Sequence, residues 1–335
     1  MRVVQDAQQF NSSALVADAP TRLDFGGGWT DVPPYPEELG GFVCNLAIER
    51  RATVRLSLGE AQSAAPHQPL VAAACREAGV ANVRVELTSD FPVGAGLGGS
   101  SAAGVALAAA LSRWCGRAPS AAELAELSRK VEVTGLQMAG GFQDHYAAAF
   151  GGALALSFGA ETRVRQLAIS SQTVRTLEAQ LLLLYTGESR ISGATITAVL
   201  DAYKAKSAPV VLALQRMKEL AIDMATALED GDVNTLGALV GEHWTHQRSL
   251  HPNITTERID AIAQHAYAAG ATGLKALGAS GGGCVIVFAP DHSAERIEKA
   301  VSPFAARLPW SVAHCGVRLH DLPDELPLPF ASVPG

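Results

Sequence analysis

Charge is scarce in this chain. Only 18% of its 335 residues are Asp, Glu, Lys or Arg, and acids outnumber bases to leave a net charge of −7. With no basic tract and few aromatic residues, it lacks the electrostatic footprint of a nucleic-acid-binding protein. An acidic protein that binds anionic phosphates must therefore use local devices: loops, a few cations and a metal. No apolar run is long enough to span a bilayer, so no membrane partner is expected. Residues 1–19 lack the charged-then-apolar layout of a secretion signal, so the expected location is cytoplasmic. The five cysteines (Cys44, Cys75, Cys115, Cys284, Cys315) are scattered, odd in number and without metal-ligand spacing. They read as reduced thiols rather than a disulfide framework. No internal repeat period is present. What remains is an ordered globular chain, 48% hydrophobic and long enough for two domains.

Against that spare background one stretch is unusually dense in glycine: Pro92-Val93-Gly94-Ala95-Gly96-Leu97-Gly98-Gly99-Ser100-Ser101. Glycines remove the Cβ atoms that would hold a ligand away from the main chain, and they permit positive φ. An alanine-rich apolar run to Leu111 follows and reads as a buried helix, with Ser100 or Ser101 as its cap. A glycine loop that opens into a helix N-terminus suits a polyphosphate; the structural alternative is a tight turn before a core helix. Two familiar phosphate loops do not fit. The dinucleotide fingerprint expects an acidic residue about twenty positions on, at the end of a strand, but residues 120–127 are capped and periodic like a helix. The nucleoside-triphosphatase loop needs a lysine after its glycines, and none lies between Arg84 and Lys130.

Along the chain, strands are expected near 13–23, 83–87, 152–158, 181–185 and 285–288. One or two more fall within 42–58, interrupted at Glu49-Arg50-Arg51. Helices are expected over 69–79, 101–115, 120–136, 259–269 and 294–304 and across 196–246. Residues 32–36 are too rich in proline for regular structure. Charge and polarity around 163–175 mark the boundary between a first domain, 1–170, and a second, 171–335.

Three glycine-rich motifs stand in order: Ala19-Pro20-Thr21-Arg22 through Asp31, Pro92 to Ala103, and Lys275 to Cys284. This order and spacing resemble the GHMP small-molecule kinases. Within that superfamily, Phe25 to Tyr35, Gly40 to Asn45 and Gly141 to Gly152 are most similar to the D-glycero-D-manno-heptose 7-phosphate 1-kinases, with fucokinases the nearest competitor. The resemblance implies a two-domain α+β fold, with a ribosomal-protein-S5-like N-terminal domain and a ferredoxin-like C-terminal one. It also implies ATP and Mg²⁺ as cofactors and a small sugar phosphate as substrate; a homo-oligomer is left open.

Carried over residue by residue, the resemblance makes Pro92, Gly94, Ala95, Gly96, Leu97, Gly98, Gly99, Ser100 and Ser101 the nucleotide cradle. Ser101 and Glu132 would hold the metal. An extra small residue in the loop leaves Ser100 as an alternative to Ser101, and Glu132 could instead lie on a solvated helix face. Asp144 would be the catalytic carboxylate and Arg22 its partner, offsetting charge on the transferring phosphoryl group; a structural ion pair is the alternative. Gly28, Thr30, Asp31, Gln143, Asp144, Arg190, Lys275 and Gly282 would contact the substrate. Asp31 would accept sugar hydroxyls or cap a turn; Arg190 would hold a phosphate or bridge on the surface. His145 reads as pocket wall, and His243, His246 and His251 as packing or surface residues rather than a zinc site.

Overall fold

The computed structural model describes residues 14–59, 68–136, 140–188, 193–290 and 292–322. Strand β1 (Ala14–Gly26) is buried over its whole length. It pairs with β2 (Gly41–Leu58), an 18-residue strand whose inner part continues onto β4 (Ala153–Phe158) and outer part onto β3 (Val83–Ser89). The charged triplet at 49–51 does not break β2 in two. Pro20 pairs with Arg51 and Thr21 with Ile48, so Glu49 and Arg50 form a bulge opposite a proline that has no N–H to give the ladder. Strand β5 (Arg163–Leu167) extends the far edge from β4. The near edge of β1 is closed by the last described strand, β10 (Arg318–Leu322). Arg318 and His320 donate from β10 to the buried Asp18 carboxylate at 2.9 and 2.8 Å.

Of the three prolines after Asp31, Pro33 and Pro34 stay outside regular structure and only Pro36 enters a helix. The short α1 (Tyr35–Leu39) places Pro36 in its first turn, where a missing N–H costs nothing. Helix α2 (Gln68–Ala78) and α3 (Gly99–Trp114) pack against the sheet, and Ala102 through Leu107 of α3 are buried. Helix α4 (Ala121–Lys130) starts with a reciprocal capping box between Ser120 and Glu123. It then widens into a π-helical turn, Val131–Gly135. Helix α5 (Gln143–Phe150) follows and leads into β4.

Past β5, the chain builds a second antiparallel sheet, in the order β7 (Gly273–Ala276), β8 (Cys284–Phe288), β6 (Leu181–Tyr185), β9 (Ala306–Arg307). Helix α6 (Ser171–Gln180) precedes it. Between β6 and β7 run α7 (Gly193–Lys204), α8 (Ala208–Asp230), α9 (Val233–Ser249) and α10 (Glu257–Ala268); α11 (Ala294–Val301) links β8 to β9. This β-α-β-β-α-β order with the first strand inside is the ferredoxin-like arrangement expected. The two sheets share a core: Leu23, Phe25, Leu46 and Ile48 meet Leu181, Leu183, Ile286 and Phe288.

Candidate active site

The glycine run forms a loop between β3 and α3. Gly94, Gly96 and Gly98 alternate into positive φ, at 72°, 74° and 75°. Such alternation turns successive main-chain N–H groups toward one concavity, an anion-binding nest. Gly98 itself caps α3 and no side chain does so. The expectation that Ser100 or Ser101 caps the helix is corrected: the left-handed cap falls before them, so both lie in the first turn with hydroxyls directed elsewhere. All nine proposed cradle residues, Pro92 and Gly94–Ser101, line a cleft of about 630 Å³. Phe91, Leu87 and Leu70 give it an apolar wall, and Glu132, Asp144 and Gly282 also face it.

Arg22 on β1 is almost fully buried and donates twice to Asp144, from Nε to Oδ1 at 2.8 Å and from Nη2 to Oδ2 at 2.9 Å. Its Nη1 donates to the Gly96 carbonyl at 2.7 Å. The planar fork thus ties the carboxylate to the glycine loop with fixed geometry. The Asp144 side chain keeps 24% of its surface open. A Cβ at Gly98 would lie 3.0 Å from the Asp144 carboxyl, so only glycine lets the loop come this close.

Glu132 lies on the π-helical turn, a feature that recurs at functional sites. It accepts from Ser100 Oγ at 3.2 Å and Ser101 Oγ at 3.5 Å. Burial pushes its carboxyl up, but the bond to His145 and the two serine hydroxyls outweigh this and leave it below the usual carboxylate range. An ionised carboxylate beside two hydroxyls at a cleft wall is a hard-oxygen set, and it leaves positions for phosphates and waters. These residues fit Mg²⁺.

Asp144 and Gly282 among the substrate candidates face the cleft, while Gly28, Asp31, Gln143 and Lys275 lie in a closed polar patch behind it. Asp31, 1% exposed, accepts from the Gln143 N–H at 3.0 Å and so caps α5. Burial pushes its carboxyl up to about 7; the Gln143 N–H opposes this, and the charges of Asp144 and Asp24 add to it. Gly28 packs against the Asp24 carboxylate and the Gln143 amide. Thr30 is spent on the turn, donating to the Gly27 carbonyl and accepting from the Phe42 N–H. Lys275 does not reach the cleft as an open cation. It is fully buried and bonds Asp24 Oδ2 at 2.9 Å; burial pushes its ammonium down, with Asp24 opposing. Arg190 lies outside the described residues. Asp24 Oδ1 and Asn45 Oδ1 are buried there without a partner among the described residues.

Sequence reasoning did not single out Asp24, although a charge two residues from Arg22 in an apolar strand is a signal. His145 is no mere wall: its Nε2 lies 2.9 Å from Glu132. His243 accepts from the Gly27 N–H at 2.9 Å. Burial, with Lys275 and His246 adding, pushes it well below its ordinary value, so it packs as a neutral ring.

With this geometry in place, residues 68–152 match the GHMP kinases N terminal domain and residues 224–306 the GHMP kinases C terminal domain. The chain belongs to the GHMP kinases and has their two-domain fold. Enzymes of this family are ATP-dependent phosphotransferases. A bifunctional fucokinase/GDP-fucose pyrophosphorylase of Arabidopsis thaliana is 25% identical over 84% of this chain, and the match spans 30% of that protein. A D-glycero-alpha-D-manno-heptose 7-phosphate kinase of Campylobacter jejuni is 30% identical over 64% of this chain and 63% of its own length. The crystal structure of a D-glycero-D-manno-heptose 1-phosphate kinase from Bacteroides thetaiotaomicron superposes with a TM-score of 0.74 at 23% identity, covering 91% of this chain and 98% of that one. Among the described residues no helix is long and apolar enough to cross a membrane.

Proposed function

We propose that this chain transfers the γ-phosphoryl group of ATP to the anomeric hydroxyl of D-glycero-D-manno-heptose 7-phosphate. The product, heptose 1,7-bisphosphate, would serve nucleotide-activated heptose and surface polysaccharide synthesis. The observation that carries the reading is the Asp144 carboxylate, gripped by Arg22 between the phosphate loop and the buried Asp31 patch. The Asn45 Oδ1 acceptor, buried beside Gln143 without a partner among the described residues, suits a polyhydroxylated ligand, because buried polar atoms need partners. The 30% identity to a heptose 7-phosphate kinase supports the choice of sugar.

The N–H groups of Gly94–Ser101 bind the phosphates, while Leu70, Leu87 and Phe91 take the base. Ser101 and Glu132 would hold Mg²⁺, which would supply positive charge to offset that of the phosphates. Asp144 accepts the hydrogen bond of the attacking hydroxyl and aims it. Arg22 keeps Asp144 in place and offsets negative charge near Gly96. Asp31 and Gln143 orient the sugar. In this reading the first domain ends near residue 170, and β10 returns to it from the second.

A second reading, a kinase of a free sugar such as L-fucose, is favoured by the longer match to the fucokinase. A coupled ADP-release assay with heptose 7-phosphate and L-fucose separates the two. Turnover of the 7-phosphate with neglect of L-fucose is expected; the reverse sinks the heptose assignment. Arg190→Ala should raise KM for the 7-phosphate roughly tenfold to a hundredfold and leave that for ATP unchanged.

A further inference from the structure

His145 has no part in the steps above, yet it is among the most enclosed polar side chains of the molecule, 1% exposed. It follows Asp144 on α5, and the two side chains leave the helix in different directions. Asp144 meets Arg22. His145 runs into the seam between α3 and α4, where Nε2 lies 2.9 Å from Glu132 Oε2 and Nδ1 lies 2.9 Å from Ser128 Oγ. Ser128 sits one turn before Glu132 and is also 1% exposed. It packs so closely on α3 that a Cβ at Gly104 would run into its hydroxyl.

The hydrogens in this seam are constrained. A carboxylate only accepts, so the bond to Glu132 requires a hydrogen on His145 Nε2. Nδ1, on the far side of the ring, lies within hydrogen-bond distance of the Ser128 hydroxyl, which can serve it as donor or acceptor. Ser128 then braces the far side of the ring, and His145 aims Glu132. The contact matters because Glu132 has little else to hold it. It lies on a π-helical turn, and its bonds from Ser100 and Ser101, at 3.2 and 3.5 Å, are longer than the one from His145.

We propose that His145 is a positioning residue for the metal-binding carboxylate. Because α5 carries both Asp144 and His145, one helix turn then sets the direction of the reacting carboxylate and of the metal ligand together. The inference rests on the reading of Glu132 as a Mg²⁺ ligand.

The test uses the whole protein, Mn²⁺ as probe and ADP as a nucleotide that does not react. Mn²⁺ affinity of the ADP complex is read from the electron paramagnetic resonance of free Mn²⁺, and ADP affinity without metal by calorimetry in EDTA. His145→Ala should weaken Mn²⁺ binding about tenfold or more, the usual range for a lost partner of a metal ligand. ADP binding in EDTA should stay within about twofold, on the same reasoning. His145→Gln, which keeps an N–H donor, should recover most of the affinity. Ser128→Ala should give a smaller loss, since it keeps the imidazole and its bond to Glu132 and removes only the brace on the far nitrogen. If Glu132→Gln destroys Mn²⁺ binding while His145→Ala and Ser128→Ala bind like wild type, the positioning role is overturned and the metal site stands. Parallel loss of Mn²⁺ and metal-free ADP binding in both variants overturns it as well, in favour of packing. If Glu132→Gln itself leaves Mn²⁺ binding intact, the metal reading falls and takes this inference with it. Should His145→Ala not fold, the Ser128→Ala result decides.

Discussion

Two ion pairs leave β1 two residues apart, and they have been put to different uses. Arg22 reaches Asp144 through a two-bond fork, and the carboxylate keeps a quarter of its surface open to the cleft. Asp24 reaches Lys275 through a single bond, with the partners 3% and 0% exposed. The first pair holds a carboxylate where a ligand in the cleft could touch it. The second crosses from the first sheet to the second and is sealed. Burial decides between the roles: removing two charges from water is costly, and only the pair that stays at a cleft wall remains available to a ligand. Asp31 completes the comparison as a buried carboxyl in the same patch whose described hydrogen bond comes from a main-chain N–H rather than a cation.

The largest effect is expected at the sealed pair. Lys275→Met strands the Asp24 charge and should cost about 3–5 kcal/mol in urea unfolding. Adding Asp24→Leu should restore most of it. If the double variant is no better than the single, the pair is not what joins the sheets. Next comes the open pair. Asp144→Asn should lower kcat by roughly two orders of magnitude, with sugar affinity little altered. A near-normal kcat would make Arg22–Asp144 structural, like its neighbour.

The smallest effect belongs to Asp31. A folded carboxyl whose pKa is raised holds its proton more tightly than the unfolded chain does. It therefore subtracts stability as pH rises from its ordinary 3.8 toward about 7. Between pH 5 and 7 Asp31→Asn should gain on wild type by roughly 2 kcal/mol. Unfolding midpoints at pH 5, 6 and 7 measure this, and a constant difference would show that Asp31 does not titrate in that window.

Much of the cleft was legible because its signals are local. Glycine density marked the loop, and the apolar run after it marked α3. The charged triplet in β2 and Pro36 of α1 misled because their local meaning was reversed by context: a bulge absorbed the one, and a helix start tolerated the other. Lys275 misled in another way, since a lysine before a glycine motif looks like a cation for an anion until its long-range partner is seen. Asp24 and Lys275 are 251 positions apart in sequence, and nothing between them records the meeting. His145 was hidden by adjacency to Asp144, because sequence gives neighbours no direction. Residues 305–322 carried no strand signal, yet they supply β9 and β10.

That last strand has a consequence for how the chain is made. Ala14–Asp18 of β1 waits for Leu322–Arg318 of β10, so the first sheet begins near the start of the described chain and is finished only near its end. A ribosome releases the first half long before β10 exists. During that interval β1 presents an open edge beside Leu15 and Val16, residues that end up buried. Unpaired edges of that kind recruit other strands. The nascent chain should therefore be most vulnerable to misassembly until β10 emerges, and the Asp18 clasp to Arg318 and His320 is the last lock to close.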